Sequence, residues 1–213
     1  MFSNTLAHRM IARALSLLLV ASGSAVFIAT ASGTAAAGIT APFNQVFSAD
    51  TTGNIQIRGN TILTCQDAAT LCAAARAQLN QNDNSFFDTY IDTDSDATTF
   101  DSSSSTVNLP SGASVLFAAL VWGGNTTAGG SLASAAYGTG TAANSPTPAN
   151  AGQVKLMVPG SSTYTTVTST RTSFLSGSTG NYQGYADITS TVQAAGNGSY
   201  TVANVQTATG TNI

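Results

Sequence analysis

Residues 54–58 alternate isoleucine with polar side chains, Asn-Ile-Gln-Ile-Arg, and a second short apolar run, Thr61-Ile62-Leu63-Thr64, follows Gly59-Asn60. Alternation at period two between turn-forming residues predicts half-buried β-strands. The same reading places strands at 86–91, 106–109, 153–158, 163–170, 182–188 and 200–206, with Pro159-Gly160 as a turn. The four serines at 102–105 predict a loop ahead of the strand at 106–109. Residues 113–122 (ASVLFAALVW) are the most apolar run beyond residue 31. Bounded by Pro110-Ser111-Gly112 and Gly123-Gly124, they predict a central strand buried on both faces. One stretch breaks the pattern: 67–79 (DAATLCAAARAQL) is rich in helix formers. Leu71, Ala75 and Leu79 share a face and Asp67 stands at the N-cap position, so a short helix is predicted. A further helical turn fits 187–192, capped by Asp187 or Thr189. Residues 123–151 are low in complexity and predict a long exposed loop. Many short strands joined by turn chemistry predict an all-β antiparallel β-sandwich with one short helix near its start; jelly-roll and immunoglobulin-like orders both fit.

The first 37 residues follow a different rule. Arg9 and Arg13 precede an apolar run at 14–31, and small-x-small triplets follow at Ala29-Thr30-Ala31 and Ala35-Ala36-Ala37. Positive, then apolar, then small is the layout of a secretory signal peptide. Residues 1–37 are therefore expected to be a leader and 38–213 a single sandwich domain, secreted or at the cell surface, with no membrane segment after cleavage.

Composition narrows the chemistry. The chain has 25 Ser, 32 Thr, nine Asp, no Glu, one lysine (Lys155) and one histidine (His8), which lies in the leader. Residues 38–213 hold four cations against nine Asp, a net charge of −5. A helical bundle would need the missing Glu and Lys, and a nucleic-acid surface would need cations. Without an imidazole the mature chain has no Ser-His-Asp or Cys-His arrangement and no His-based zinc site. The expectation is that it is not an enzyme.

Five features bear on function. Cys65 and Cys72 are close in sequence in a chain with an export signal and are expected to form a structural disulfide. Asp83, Asp88, Asp92, Asp94, Asp96 and Asp101 gather six acids in one region. Within it, Asp92, Asp94, Asp96 and Asp101 form a candidate metal site, calcium being the hard cation that oxygen ligands suit. The alternative is a solvated acidic turn. An EF-hand is not supported, because Ala97 and Ser103 replace its glycine and glutamate. Lys155, within Val154-Lys155-Leu156, is expected on an edge strand as a guard against aggregation. Trp122, Tyr164, Tyr182 and Tyr185 are expected in the core and in cross-strand pairs rather than in a sugar platform. Asn125-Thr-Thr and Asn197-Gly-Ser match the glycosylation pattern.

Gly59-Asn60-Thr61 leading into Cys65 is followed by IDTDSDATTFDSSSS, LPSGASVLFAALVWGG, VKLMVPG, YADIT and GNGSYTVANVQ, in that order. This series, from about Pro42 to Gly210, resembles the N-terminal module of large exported proteins of actinobacteria and related bacteria. In those proteins a β-sandwich follows the signal peptide and precedes immunoglobulin-like repeats of unknown function, often with a cell-wall or membrane anchor. The resemblance implies surface display or adhesion toward a cell-surface glycan or protein, with no catalytic residues to carry over. A calcium-assisted carbohydrate-binding module is the alternative. The family continues past its YTVANVQ-like strand with a Gly-Gly-Trp turn and a Val-rich strand, where this chain has Gly210-Thr-Asn-Ile213. A fragment lacking C-terminal strands is therefore expected.

Overall fold

The computed structural model describes residues 44–79, 85–147, 150–174 and 180–213; the leader and Asp83 lie outside the described residues. Among the described residues, eleven short strands and two short helices make an all-β, sandwich-like fold. One sheet has the order β3 (Ser102–Val107), β11 (Gly198–Ala203), β7 (Gln153–Met157), β8 (Thr165–Thr168). The other has the order β4 (Ala119–Asn125), β10 (Asn181–Asp187), β9 (Arg171–Phe174). Every pairing between these strands is antiparallel. Two ribbons accompany them: β1 (Leu63–Cys65) with β2 (Asp88–Tyr90), and β5 (Leu132–Ser134) with β6 (Gly138–Gly140).

The core lies between the two larger sheets. Trp122 of β4 and Tyr182 and Ala186 of β10 meet Val154 and Leu156 of β7 and Tyr200 of β11. Along β10 the buried residues are Tyr182, Gly184 and Ala186, alternating with more exposed ones, as a strand with one wet face requires. Helix α2 (Thr189–Ala195) carries the chain from β10 to β11 and closes the core with Val192. Each such apolar side chain removed from water contributes roughly 1.5–3 kcal/mol. A second cluster forms around Cys65, Ala69, Cys72 and Phe86, with Tyr137 packed on it.

Several expectations are corrected. Residues 54–58 join no sheet: Ile55 and Ile57 are each 85% exposed. The amides of Gln56 and Asn60 donate instead to the β3-side carbonyls of Asn108 (2.5 Å) and Ser104 (3.2 Å), so side chains replace a ladder there. The serine run is not a loop but strand β3, with Ser102 and Ser103 buried. Two of its hydroxyls have local partners, Ser104 Oγ meeting Thr201 Oγ1 at 2.7 Å and Ser102 Oγ accepting the Thr93 N–H at 2.7 Å. The apolar run at 113–122 is not a central strand. It becomes β4 only from Ala119, at a sheet edge, with Trp122 buried and Val121 54% exposed.

Residues 123–151 are likewise not one long loop. β4 runs on to Asn125, and β5 and β6 form a hairpin that docks on the disulfide cluster. Thr70, Leu71 and Phe87 donate their N–H groups to Ala135, Ala136 and Tyr137. Glycine is required in this contact, since a Cβ on Gly140 would stand 2.5 Å from the Phe87 ring. The predicted helix shortens to α1 (Cys72–Arg76), which has Leu71 at its N-cap and no side-chain cap. Asp67 does not cap it but pairs with Arg76, and Leu79 is 76% exposed, whereas Leu71 and Ala75 pack on the cluster. Asp187 does prepare α2, its Oδ1 accepting the Thr189 N–H at 2.8 Å.

Candidate functional site

The acidic segment joins β2 to β3 as a tightly folded loop. Both ends are pinned together: the Ser102 N–H reaches Ile91 O at 2.8 Å, and Asp92 bridges Ser102 in parallel. Inside the loop each aspartate serves the turn that follows it. Asp92 Oδ1 accepts the Ser95 N–H and the Ser102 hydroxyl, both at 3.0 Å. Asp94 Oδ1 accepts the Asp96 N–H at 3.0 Å, and Asp96 Oδ1 accepts the Thr98 N–H at 2.8 Å. Short acidic side chains do this readily, because their oxygens reach a backbone N–H two or three residues on. Ser95 takes a left-handed conformation, φ 55°, to let the turns succeed one another.

Two contacts fasten this loop to the sheet that ends in β8. The Tyr164 hydroxyl donates to Asp94 Oδ2. Burial works to raise the Asp94 carboxyl, yet hydrogen bonds from Tyr164, from the Asp96 N–H and from Ser102 outweigh it and hold the group below the ordinary range. Burial, reinforced by the Asp94 contact and the loop's negative charge, pushes the Tyr164 phenol up. Lys155 Nζ donates to Thr98 O at 3.3 Å. It does so from β7, which lies between β11 and β8, so the edge-strand expectation for Lys155 is corrected.

Asp101 behaves differently from the other three. It is fully buried at the head of β3. Its Oδ1 accepts the Val205 N–H at 3.0 Å and its carbonyl accepts the Asn204 N–H at 3.2 Å. Its Oδ2 has no hydrogen-bond partner among the described residues. Burial, aided by the charge of Asp92, pushes its pKa up to about 7 despite the two backbone N–H groups that oppose the shift. Asp88 of β2, pushed up by burial, pairs its backbone with Gly210. Among the described residues no three carboxylates, imidazoles or thiolates stand where they could share a metal ion. The four residues singled out as ion ligands thus divide into a surface loop of three that bind backbone and one that is buried beneath it.

The segment that Asp101 holds is the feature the sequence did not announce. Past β11, residues 205–211 form no strand, yet Val205, Gln206, Thr207, Ala208 and Thr211 are buried. Ala208 N–H reaches Asn125 O, Thr209 bridges Ala143, Gly210 bridges Asp88, and Thr211 bridges Gly130. The Tyr90 hydroxyl donates to Thr207 O at 2.8 Å. One chain segment therefore ties together β2, β3, β4 and the β5–β6 hairpin. The signal available beforehand was Asn204, a residue type that tolerates the left-handed conformation it adopts here, φ 56°.

Cys65 and Cys72 are disulfide-bonded, with Cα atoms 5.7 Å apart. Trp122 and Tyr182 are in the core, as expected. The amides of both glycosylation triplets serve the fold: Asn125 Oδ1 accepts the Thr127 N–H, and Asn197 brackets Leu109 through its N–H and carbonyl. Comparison with known protein families, with curated proteins and with solved structures finds no match for this chain, so its fold and this loop are the ground for any functional reading.

Proposed function

We propose that this chain is an exported, non-catalytic module for surface display or adhesion. The leader at 1–37 supplies the route, and the Cys65–Cys72 bond is the observation that carries the reading. A disulfide persists outside the reducing cytoplasm. Here it joins β1 to α1 in the cluster on which the β5–β6 hairpin is seated. In the most acidic part of the molecule, the carboxylates serve backbone N–H groups, a task of holding shape. Recognition then falls to exposed strands and loops rich in Ser, Thr and Gly, toward a cell-surface glycan or protein.

Fractionation of the producing cells tests this, with surface proteolysis and thiol alkylation read on the same samples. Recovery from the medium or the surface, with both cysteines blocked from alkylation until reduced, is expected. Retention inside the cell with both thiols free would remove the proposal. A glycan and protein array then reads which kind of partner is bound.

A further inference from the structure

Among the described residues β4 is a sheet edge with no strand paired beyond it, its Gly123–Asn125 end lining a cleft with Thr61–Leu63 and Thr207, and its register shows which groups it offers. Thr126 N–H donates to Gly180 O and Ile188 N–H donates to Ala118 O. In the antiparallel register that pairs Asn125 with Asn181 and Ala119 with Asp187, the even-numbered residues of β4 therefore bond to β10. Ala119, Val121 and Gly123 point their N–H and C=O groups away from β10, toward the side on which no strand follows. Among the described residues only Asn125, at the end, has a backbone partner there, the Ala208 N–H. All three residues are exposed. Natural edges are guarded by charge, proline, a bulge or a cover. β4 reads Ala-Leu-Val-Trp-Gly-Gly-Asn and carries no charge or proline.

The same molecule displays a segment of matching chemistry. Residues 54–58 have the alternation of a strand, lie in no sheet and expose both isoleucines almost fully. Among the described residues their backbone bonds to no other element; the segment is held by the side chains of Gln56 and Asn60. We propose that this segment of one molecule adds as a strand to the β4 edge of a second copy. Strand addition supplies the missing partners of Ala119, Val121 and Gly123, and two residues of period place Ile55 and Ile57 on one face. That face is the one carrying Val121, 54% exposed and directly across from Tyr185, so apolar surface on both molecules leaves water together. Donor and acceptor are different patches, so the contact is head-to-tail and extends beyond a dimer unless the ring closes. The net charge of −5 on residues 38–213 opposes association, and salt screens it.

Light scattering on the purified protein, over a concentration series at low and high salt, reads the assembly. Oligomers that grow with concentration and salt are expected. Val121→Pro removes an edge N–H without touching a bond to β10, and Ile55→Asp/Ile57→Asp disables the donor. Each should weaken association by about tenfold or more, with thermal melting confirming that the fold is kept. Mixed together, the two variants should form a heterodimer, because each retains the half the other lacks. A protein that stays monomeric at every concentration, variants that associate as the parent does, or a mixture that fails to pair would each overturn the proposal. Should either variant lose its melting transition, a peptide of residues 54–60 is titrated into the parent protein instead. Dissociation of oligomers by the peptide supports strand addition, and unchanged oligomers refute it.

Discussion

Gly184 lies directly across from Trp122 in the β4–β10 ladder, and a Cβ added to it would stand 2.3 Å from the indole Cε2. The indole cannot swing aside freely. It is buried, and its Nε1–H donates to Ala151 O at 3.0 Å. Glycine here is a matter of space, not of turn geometry. Gly184→Ala should therefore overpack the core and cost about 1–3 kcal/mol in urea unfolding, with a shift in tryptophan emission. Unchanged stability would show that the indole has more room than these contacts allow.

The disulfide closes a short loop, seven positions from Cys65 to Cys72. On the chain-entropy account such a loop stabilises by roughly 2–3 kcal/mol. Cys65→Ala/Cys72→Ala should lower the melting temperature accordingly. It should also loosen the β5–β6 hairpin first, because the N–H groups of Thr70 and Leu71 bond to its turn. Hydrogen exchange at those two amides, compared with Thr201 in β11, checks the order of opening. Equal acceleration at all three would mean that the cluster and the core unfold as one unit.

Burial sets the pH response through Asp101. Its folded pKa of about 7 lies above the ordinary carboxylate value of 3.8, so the folded state holds a proton that the unfolded chain releases. Stability from this group is therefore greatest below about pH 4, falls as pH rises toward about 7, and levels off above it. The total change is on the order of 4 kcal/mol. Among the described residues two other buried oxygens, Ser103 Oγ and Gln206 Oε1, also have no hydrogen-bond partner. Asp101→Asn should flatten the profile between about pH 4 and pH 7 and raise stability at the alkaline end. A slope that survives the substitution would assign it to other groups, Asp88 first among them, since burial pushes it the same way.

What the sequence made legible follows from where side chains alone decide the structure. β7 and β10 sit where period-two apolar patterns put them, because their inward residues Val154, Leu156, Tyr182 and Ala186 fill the core. β3 was hidden, since Ser102–Val107 carries no apolar alternation and is a strand only because β11 pairs along its whole length. Residues 54–58 show the converse: their pattern suits a strand, but the neighbouring edge is occupied by amide side chains from the same segment. The hairpin of β5 and β6 is held by docking on Phe87 and the disulfide cluster, contacts that low-complexity sequence does not encode. The acidic loop was visible as composition. The burial of Asp101 depended on Asn204 and Val205, about a hundred positions away.

Tyr164 and Asp94 give the loop its most direct test. The phenol donates to a carboxylate that is only partly buried, so Tyr164→Phe should cost about 1 kcal/mol, less than a fully buried charged hydrogen bond. The loss should fade as Asp94 is protonated, at a pH below the ordinary carboxylate range because its hydrogen bonds hold that group down. The same loop sets the expectation for calcium. Asp92, Asp94 and Asp96 each give an oxygen to the backbone of their own turn, and the described residues bring no third carboxylate to a shared point. Melting temperature should thus be the same with calcium or with a chelator. A rise with calcium that vanishes in Asp92→Asn/Asp94→Asn would instead put an ion in the loop, and the turns would have to reopen to admit it.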